Sequence, residues 1–316
     1  MSVCKPTVVI LIPAYNAVEF IDEAISSSIN QTYEPCRVVV INDGSSDATG
    51  DLIAKYEQNS KVEIITNEKN LGKAESLNQL LPVLKETYVA LMDADDVMHP
   101  NRIEKQVQFM NEHPDVGASS GFMEYISSDG RVIGKATLDL LGDEDAKRYE
   151  DSQEPFAIFC PCAILRTAVF SDENLLFRKQ FWPADDIDLW NRIYETKWRV
   201  IVQPKVLMQY RIHGSSAVTS NFFNTRQQFE FVRESMRARR RGNTEPTRAE
   251  FLQACNDKPL LYRMNKKRKI YAKGMYRGAG FAVAEKKYLS GIRMMGIACL
   301  LQPEYSLRRL IQQLIK

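Results

Sequence analysis

Residues 7–12, Thr-Val-Val-Ile-Leu-Ile, are apolar or β-branched at every position and stop at a proline. A continuous run of this kind suits a strand buried on both faces, as in a parallel sheet. Beyond it Val18, Ile21, Ala24, Ile25 and Ile29 recur at helical spacing, so a helix follows. The unit then repeats. Arg37–Ile41 reads as a second strand, a helix through Leu52, Ile53 and Tyr56 brings the chain back, and Val62–Thr66 reads as a third. A helix with Ala74, Leu77, Leu81 and Leu84 on one face leads to a fourth strand over residues 87–92. Strands alternating with helices predict an α/β fold with a mostly parallel sheet flanked by helices.

The texture changes further on. Pro100 opens a helix with Ile103, Val107 and Met110 on its buried face. Val116–Ile126, the turn Ser127–Gly130 and Arg131–Ile133 read as an antiparallel hairpin. Residues 139–155 are acidic, lack an apolar period and read as a loop, whereas Ala163–Phe170 is apolar again. A helix is expected over Ile187–Thr196, and two last strands over Trp198–Val202 and Val206–Tyr210. From about residue 221 the pattern is helical: Gln227–Arg241, Pro246–Cys255, about 259–289, and two short helices after Ser290. This divides the chain into a domain over 1–220 and a basic helical region over 221–316.

Unusual polar residues collect where predicted strands end. Pro13-Ala-Tyr15-Asn16, Asn42–Asp47 and Asp93-Ala-Asp95-Asp96 each follow one. Open α/β sheets bind ligands in the crevice beyond those strand ends. Asp93 and Asp95 lie two apart, so an extended backbone points them to one side. Two like charges held together suit a cation between them. A polar loop capping the next helix would use the same residue types. Asp185-Asp186, beside Trp182, is a second acidic pair, fit to serve as a general base or simply to complement a helix dipole.

Charge adds an asymmetry. Residues 1–220 hold 21 Lys+Arg against 33 Asp+Glu, a net of −12, while residues 221–316 hold 21 against 7, a net of +14. In the tail Arg237–Arg241 and Lys266–Lys269 are interleaved with Tyr262, Met264, Ile270 and Tyr271. A basic amphipathic pattern suits an anionic membrane surface, and equally a helical cap with a solvated basic face. No recognised nucleic-acid module is present, and nucleic acid is not an expected partner. No apolar run reaches the roughly 18–20 residues that span a bilayer. The first residues lack a signal-peptide core, which points to the cytoplasm, with peripheral membrane attachment through the tail. The six cysteines fit neither a zinc nor a disulfide framework and read as free thiols.

Several chemistries drop out. The turn after the first strand has no glycine, which removes a dinucleotide-binding fingerprint. Gly72-Lys73 lacks the rest of a P-loop, and neither G-x-S-x-G nor H-E-x-x-H occurs. Carboxylates remain as the working groups. A cation on Asp93 and Asp95 would neutralise a diphosphate, Asp43 would accept hydrogen bonds from a ribose or base, and Lys73 would meet a phosphate.

In order and spacing, Pro13–Asn16, Asn42–Asp47, Asn70-Leu-Gly-Lys73, Asp93–Asp96, Asp185-Asp186-Ile-Asp-Leu-Trp190 and Tyr210-Arg-Ile-His213 resemble the inverting family-2 glycosyltransferases of GT-A fold over about residues 5–220. The resemblance implies that Pro13, Tyr15 and Asp43 line the nucleotide pocket, with Lys73 near the nucleotide. It implies that Asp95 ligates Mg²⁺ or Mn²⁺ and that Asp93 contacts the ribose or the ion. Asp186 would be the base for the acceptor hydroxyl with Asp185 beside it, and His213 a further metal or phosphate contact. Asp185 stands where the family usually has Glu. Asp96 is expected to hold a helix-side structural role. The implied activity is inverting, metal-assisted hexosyl transfer from a nucleotide-sugar, UDP-linked by expectation, to a glycan or glycolipid in cell-surface polysaccharide synthesis. A metal-dependent nucleotidyltransferase and a non-catalytic nucleotide-sugar-binding protein are the alternatives.

Overall fold

A computed structural model of the chain describes residues 5–213 and 222–314. Its contacts divide into two compact units, Met1–Ile126 with Gly134–Arg211, and Ser127–Ile133 with Ile212–Lys316.

The first unit is built on a mixed sheet. Strand β1 (Val8–Ala14) lies at its centre, and helix α1 (Ile21–Ile29) leads from it to β2 (Cys36–Asn42). Helix α2 (Thr49–Ala54) precedes β3 (Val62–Thr66), and α3 (Lys73–Asn78) precedes β4 (Tyr88–Leu91). These four strands are mutually parallel in the order β3-β2-β1-β4. Successive residues of β1 serve opposite faces. Val8, Ile10 and Ile12 pack with Ile21, Ala24, Ile25 and Ile103, while Val9 and Leu11 pack with Ala74, Leu77, Leu189 and Trp190. Both faces are covered, which is why the strand is apolar at every position.

The rest of the sheet is assembled differently. After β4 come the two-residue β5 (Val97–Met98), helix α4 (Arg102–Glu112), β6 (Val116–Ile126) and β7 (Val132–Ala136). Helix α5 (Asp143–Ser152), β8 (Ile164–Arg166), the single turn α6 (Ala168–Ser171), α7 (Asp185–Tyr194) and β9 (Arg199–Arg211) complete the unit. Strand β8 runs antiparallel to both β4 and β6, β9 parallel to β6, β5 antiparallel to β9, and β7 pairs with β6. The architecture is therefore mixed α/β, with a curled sheet flanked by helices.

Two expectations need correction. Residues 139–155 contain α5 rather than only loop. Its first turn carries Asp143, Glu144 and Asp145, which suit the helix dipole, but only Ala146 is buried, so no apolar stripe betrays it. The two expected last strands are one, β9, which runs through the exposed Pro204. Its register against β6 shifts at Gly121/Phe122, where a Cβ on Gly121 would lie 2.4 Å from Leu207 Cδ1.

Arg102, on α4, is fully buried inside this unit. Its Nη2 donates to the carbonyls of Leu91 (2.9 Å) and Ala163 (3.2 Å), its Nη1 to Pro161 (3.0 Å) and its Nε to Gln106 Oε1 (3.0 Å). Gln106 in turn donates to the Cys162 carbonyl at 2.8 Å. One guanidinium thus joins the end of β4 to the 160–163 segment that enters β8.

The second unit is helical: α8 (Phe222–Arg240), α9 (Arg248–Asn256), α10 (Leu260–Ala284), α11 (Tyr288–Leu301) and α12 (Pro303–Leu314). Thr247 and Glu250 form a reciprocal capping box on α9. Phe231 and Phe251 stack at 5.1 Å with the Arg248 guanidinium over both rings. Helices α10 and α11 pack through small buried residues, Ala272, Ala279, Gly291 and Ala298. Among the described residues no helix is long and apolar enough to cross a membrane.

An Arg102→Leu variant strands the Leu91 and Pro161 carbonyls and Gln106 Oε1 without this donor and leaves Ala163 only the Leu91 N–H. We expect it to lose on the order of 3 kcal/mol of unfolding free energy in urea titration, against less than about 0.5 kcal/mol for the exposed Arg148→Leu.

Candidate active site

Strand β4 delivers its carboxylates to one spot. Asp93, Asp95 and Asp96 follow it within five residues, and a carboxylate oxygen from each lies within 4.8 Å of the others. Arg211, at the end of β9, holds the loop by its backbone. Its N–H donates to Asp96 Oδ1 at 2.8 Å and its Nε to the Asp95 carbonyl at 2.9 Å. The same guanidinium meets Glu23 Oε2 at 2.5 Å and lies over the Phe20 ring. The loop cannot relax its repulsion by swinging apart.

Asp96 shows the cost of that confinement. It is buried, and its Oδ2 has no hydrogen-bond partner. Burial, with Asp95 and Asp93 close by, pushes its carboxyl well above the usual range. A hard divalent cation would satisfy the orphaned oxygen and relieve the repulsion, since carboxylate oxygens are the ligands that Mg²⁺ and Mn²⁺ prefer. Asp96 was expected to be structural. It accepts from the Arg211 N–H and is at the same time a member of the carboxylate cluster.

Lys73 begins α3 and forms an ion pair with Asp93. Burial opposes its charge, but Asp93, Cys160 and Asp186 around it hold the ammonium well above its ordinary value. Asp43, at the end of β2, is buried and fastens the loop in front of α3. Its Oδ1 accepts from the Leu71 N–H (3.0 Å) and Asn67 Nδ2 (2.8 Å), and its Oδ2 from the Gly72 N–H (2.8 Å). Burial disfavours the ionised form, yet these donors outweigh it and hold the carboxyl below its usual range. Gly44 lets the loop close. Its φ is +67°, and a Cβ would lie 2.5 Å from the Lys69 carbonyl carbon. Pro13 is half-buried at the end of β1, and Tyr15 beyond it is exposed. Asn16 ties that segment to the next, its N–H donating to Ser45 Oγ and its Oδ1 accepting from the Ser46 N–H.

The second acidic pair opens α7. Asp185 and Asp186 are its first two residues, both half-buried; the N-cap is Ala184, and Asp186 Oδ1 accepts from the Ile187 N–H at 2.8 Å. Burial, then Asp185 next door, raises Asp186 to about 7, against the pull of the Ile187 N–H and Lys73. Burial raises Asp185 as well. The pair sits on a rigid mount, because Asp188 is fully buried and accepts from Arg178 Nε (2.9 Å) and Nη2 (2.5 Å) and from Arg192 Nε (2.9 Å). Asn191 bonds the Phe156 backbone in both directions. Lys73 lies within electrostatic reach of both Asp93 and Asp186, so the carboxylate cluster and the acid pair belong to one site.

Tyr210 and Cys160 also belong here and were not singled out. Burial and the three acids of the cluster push the Tyr210 phenol well above its usual range, so it stays a donor. Burial keeps the Cys160 thiol protonated beside Lys73. The signal for Tyr210 was its place beside Arg211, whereas Arg102 and Cys160 left none. His213 is half-buried and lies in the second unit, and it is not among the acids of the cluster.

Residues 9–172 match the profile described as Glycosyl transferase family 2. An uncharacterized glycosyltransferase of Haemophilus influenzae is 34% identical over 230 residues, covering 70% of this chain and 70% of that protein. Among solved structures, S. aureus TarS 1-349 in complex with UDP-GlcNAc superposes with a TM-score of 0.57 at 16% identity, covering 94% of this chain and 92% of that one. The mannosyltransferase PcManGT from Pyrobaculum calidifontis, in complex with GDP-Man and Mn²⁺, gives 0.57 at 15% identity, covering 98% of this chain and 80% of that one. At these identities the structural likeness establishes the fold, which is of GT-A type.

The cluster makes a direct prediction. Titrated with Mn²⁺ and followed by the electron paramagnetic resonance of the free ion, the wild-type chain should take up manganese. Asp95→Asn should weaken uptake at least tenfold, and Asp139→Asn, in an exposed acidic loop, should not.

Proposed function

The chain belongs to glycosyl transferase family 2, and we propose that it moves a hexose from a nucleoside-diphosphate sugar to a hydroxyl of a glycan or glycolipid. We take the donor as UDP-linked, the acceptor as part of a growing cell-surface polysaccharide, and the transfer as inverting. The observation that carries this reading is Asp186: a carboxyl raised to about 7 by burial and by Asp185, within electrostatic reach of Lys73 and Asp93.

A base is most useful when its pKa lies near the working pH, because it is then ionised often enough and still basic enough to take a proton. Asp186 meets that condition. In the proposed reaction an Asp186 carboxylate oxygen accepts the proton of the acceptor hydroxyl as that oxygen attacks the anomeric carbon. The bond to the diphosphate breaks on the opposite face, so one displacement inverts the centre. Asp185 keeps Asp186 basic, and the Arg178–Asp188–Arg192 cluster fixes the helix that carries both. Asp93, Asp95 and Asp96 would hold a divalent cation, Mg²⁺ or Mn²⁺, which when bound supplies positive charge to the departing diphosphate. Lys73 adds a fixed cation beside Asp93, and Tyr210 a phenolic donor facing the three acids. Pro13, Tyr15 and the loop fastened by Asp43 are assigned to the nucleotide, and His213 to a phosphate or metal contact.

Nucleotidyl transfer is set aside by the family assignment. A binding protein without turnover would have no use for a base tuned near neutrality. We further propose that the region from residue 221 seats the enzyme on an anionic membrane surface on the cytoplasmic side, supported by its net charge of +14 over 221–316.

Asp186→Asn should bind UDP with unchanged affinity in calorimetry while release of UDP from a UDP-sugar with acceptor falls about 10²–10⁴-fold. Near wild-type turnover in that variant would sink the assignment. The pH profile follows from the sign of the shift. The base works only when ionised, so kcat/KM for the acceptor should fall as pH drops through about 7 and level off above it. A profile flat down to pH 5 would exclude Asp186 as the base.

A further inference from the structure

The helices of the second unit enclose a recess. It has a volume of about 660 Å³ and lies among α8, α9 and the start of α10. Five cations line it, Arg233, Lys258, Arg263, Lys266 and Lys267, against two acids, Glu230 and Glu234. Lys266 pairs with Glu230, and Arg233 lies 3.6 Å from Glu234. Among the described residues no carboxylate pairs with the remaining three, Lys258, Arg263 and Lys267. The Arg263 Nε is buried and has no hydrogen-bond partner. A buried donor on a cation is costly to leave unsatisfied, and an anion in the recess would satisfy it.

A second feature points the same way. Helix α10 starts at the wall of the recess, at Leu260, with Pro259 as its N-cap and no side chain capping it. Its 25 residues set a positive dipole end beside Lys258 and Arg263. Three apolar side chains of the lining are left open to solvent: Leu260 is 62% exposed, Tyr262 55% and Met264 58%. Open apolar side chains in the first turns of α10, beside a cationic recess, have no use for a free phosphate or a nucleotide.

We propose that this recess binds an amphiphile with a phosphate or diphosphate headgroup on an aliphatic chain. Lys258, Arg263, Lys267 and the start of α10 take the headgroup, and Leu260, Tyr262 and Met264 take the chain. It is a discrete lipid site rather than general attraction to an anionic surface, because an unpartnered donor lies inside a concave wall. The inference goes beyond the transfer reaction and stands without it.

The test uses the full chain with saturating UDP, so that any diphosphate site on the first unit is filled. Farnesyl diphosphate, inorganic diphosphate and farnesol are compared by isothermal titration calorimetry below the micelle concentration. Farnesyl diphosphate should bind at least tenfold more tightly than either fragment, and Arg263→Gln and the exposed Lys258→Gln should each weaken it about tenfold. UDP affinity, read separately, should be unchanged in both variants, and unchanged melting temperatures show that both are folded. Equal binding of inorganic diphosphate, or wild-type affinity in Lys258→Gln, would overturn the proposal. Loss of UDP binding by the wild-type chain would instead count against the nucleotide-sugar reading and leave this site standing.

Discussion

A buried positive charge opposite a crowd of negative ones governs the catalytic unit. Arg102 has no water around it and no carboxylate bonded to it. It is held by the carbonyls of Leu91, Pro161 and Ala163 and by Gln106. Burial works against its charge, while Cys162, Asp96 and Asp93 favour it. The parallel half of the sheet ends at β4, and the mixed half begins at β8. Arg102 bonds both at that seam, so the carboxylate loop leaves β4 from a fixed point.

From that point the site is assembled by cross-bracing. Arg211 secures the far side of the loop, Asp43 the approach to α3, and Asp188 the start of α7. Each brace uses a charged group wholly or mostly removed from water and bonded to several donors or acceptors at once, the condition under which such groups rigidify structure rather than strain it. Lys73 then couples the two acidic centres electrostatically. Lys73 pairs with Asp93, and both act on Asp186.

Much of this was legible in the residues. Strands β1, β2 and β4 are covered on both faces, so their apolar runs are unbroken, and the polar clusters at their ends had to converge. The rest was hidden for physical reasons. Helix α5 buries one alanine, so its pattern looks like a loop. Arg102 is charged, and a charged residue in an amphipathic helix reads as solvated until the carbonyls that surround it are known. Asp96 looked like a helix-side cap because sequence spacing says nothing of Arg211, 115 positions away. The recess in the second unit had a visible part, basic residues mixed with aromatics, but the same composition describes a plain solvated face.

The clamp on Asp188 bears on how the enzyme can change. Arg178 and the Phe177 backbone, which exchanges hydrogen bonds with Asn78, fasten the rear of the segment leading to α7. Trp182, 48% exposed, lies in sequence between those fastenings and α7. Changing the exposed Trp182 side chain leaves the Asp188 clamp that mounts α7 untouched. Chemistry and exposed surface are separable under selection, so a lineage can acquire new acceptors by drift in a few surface positions while the reaction itself stays intact.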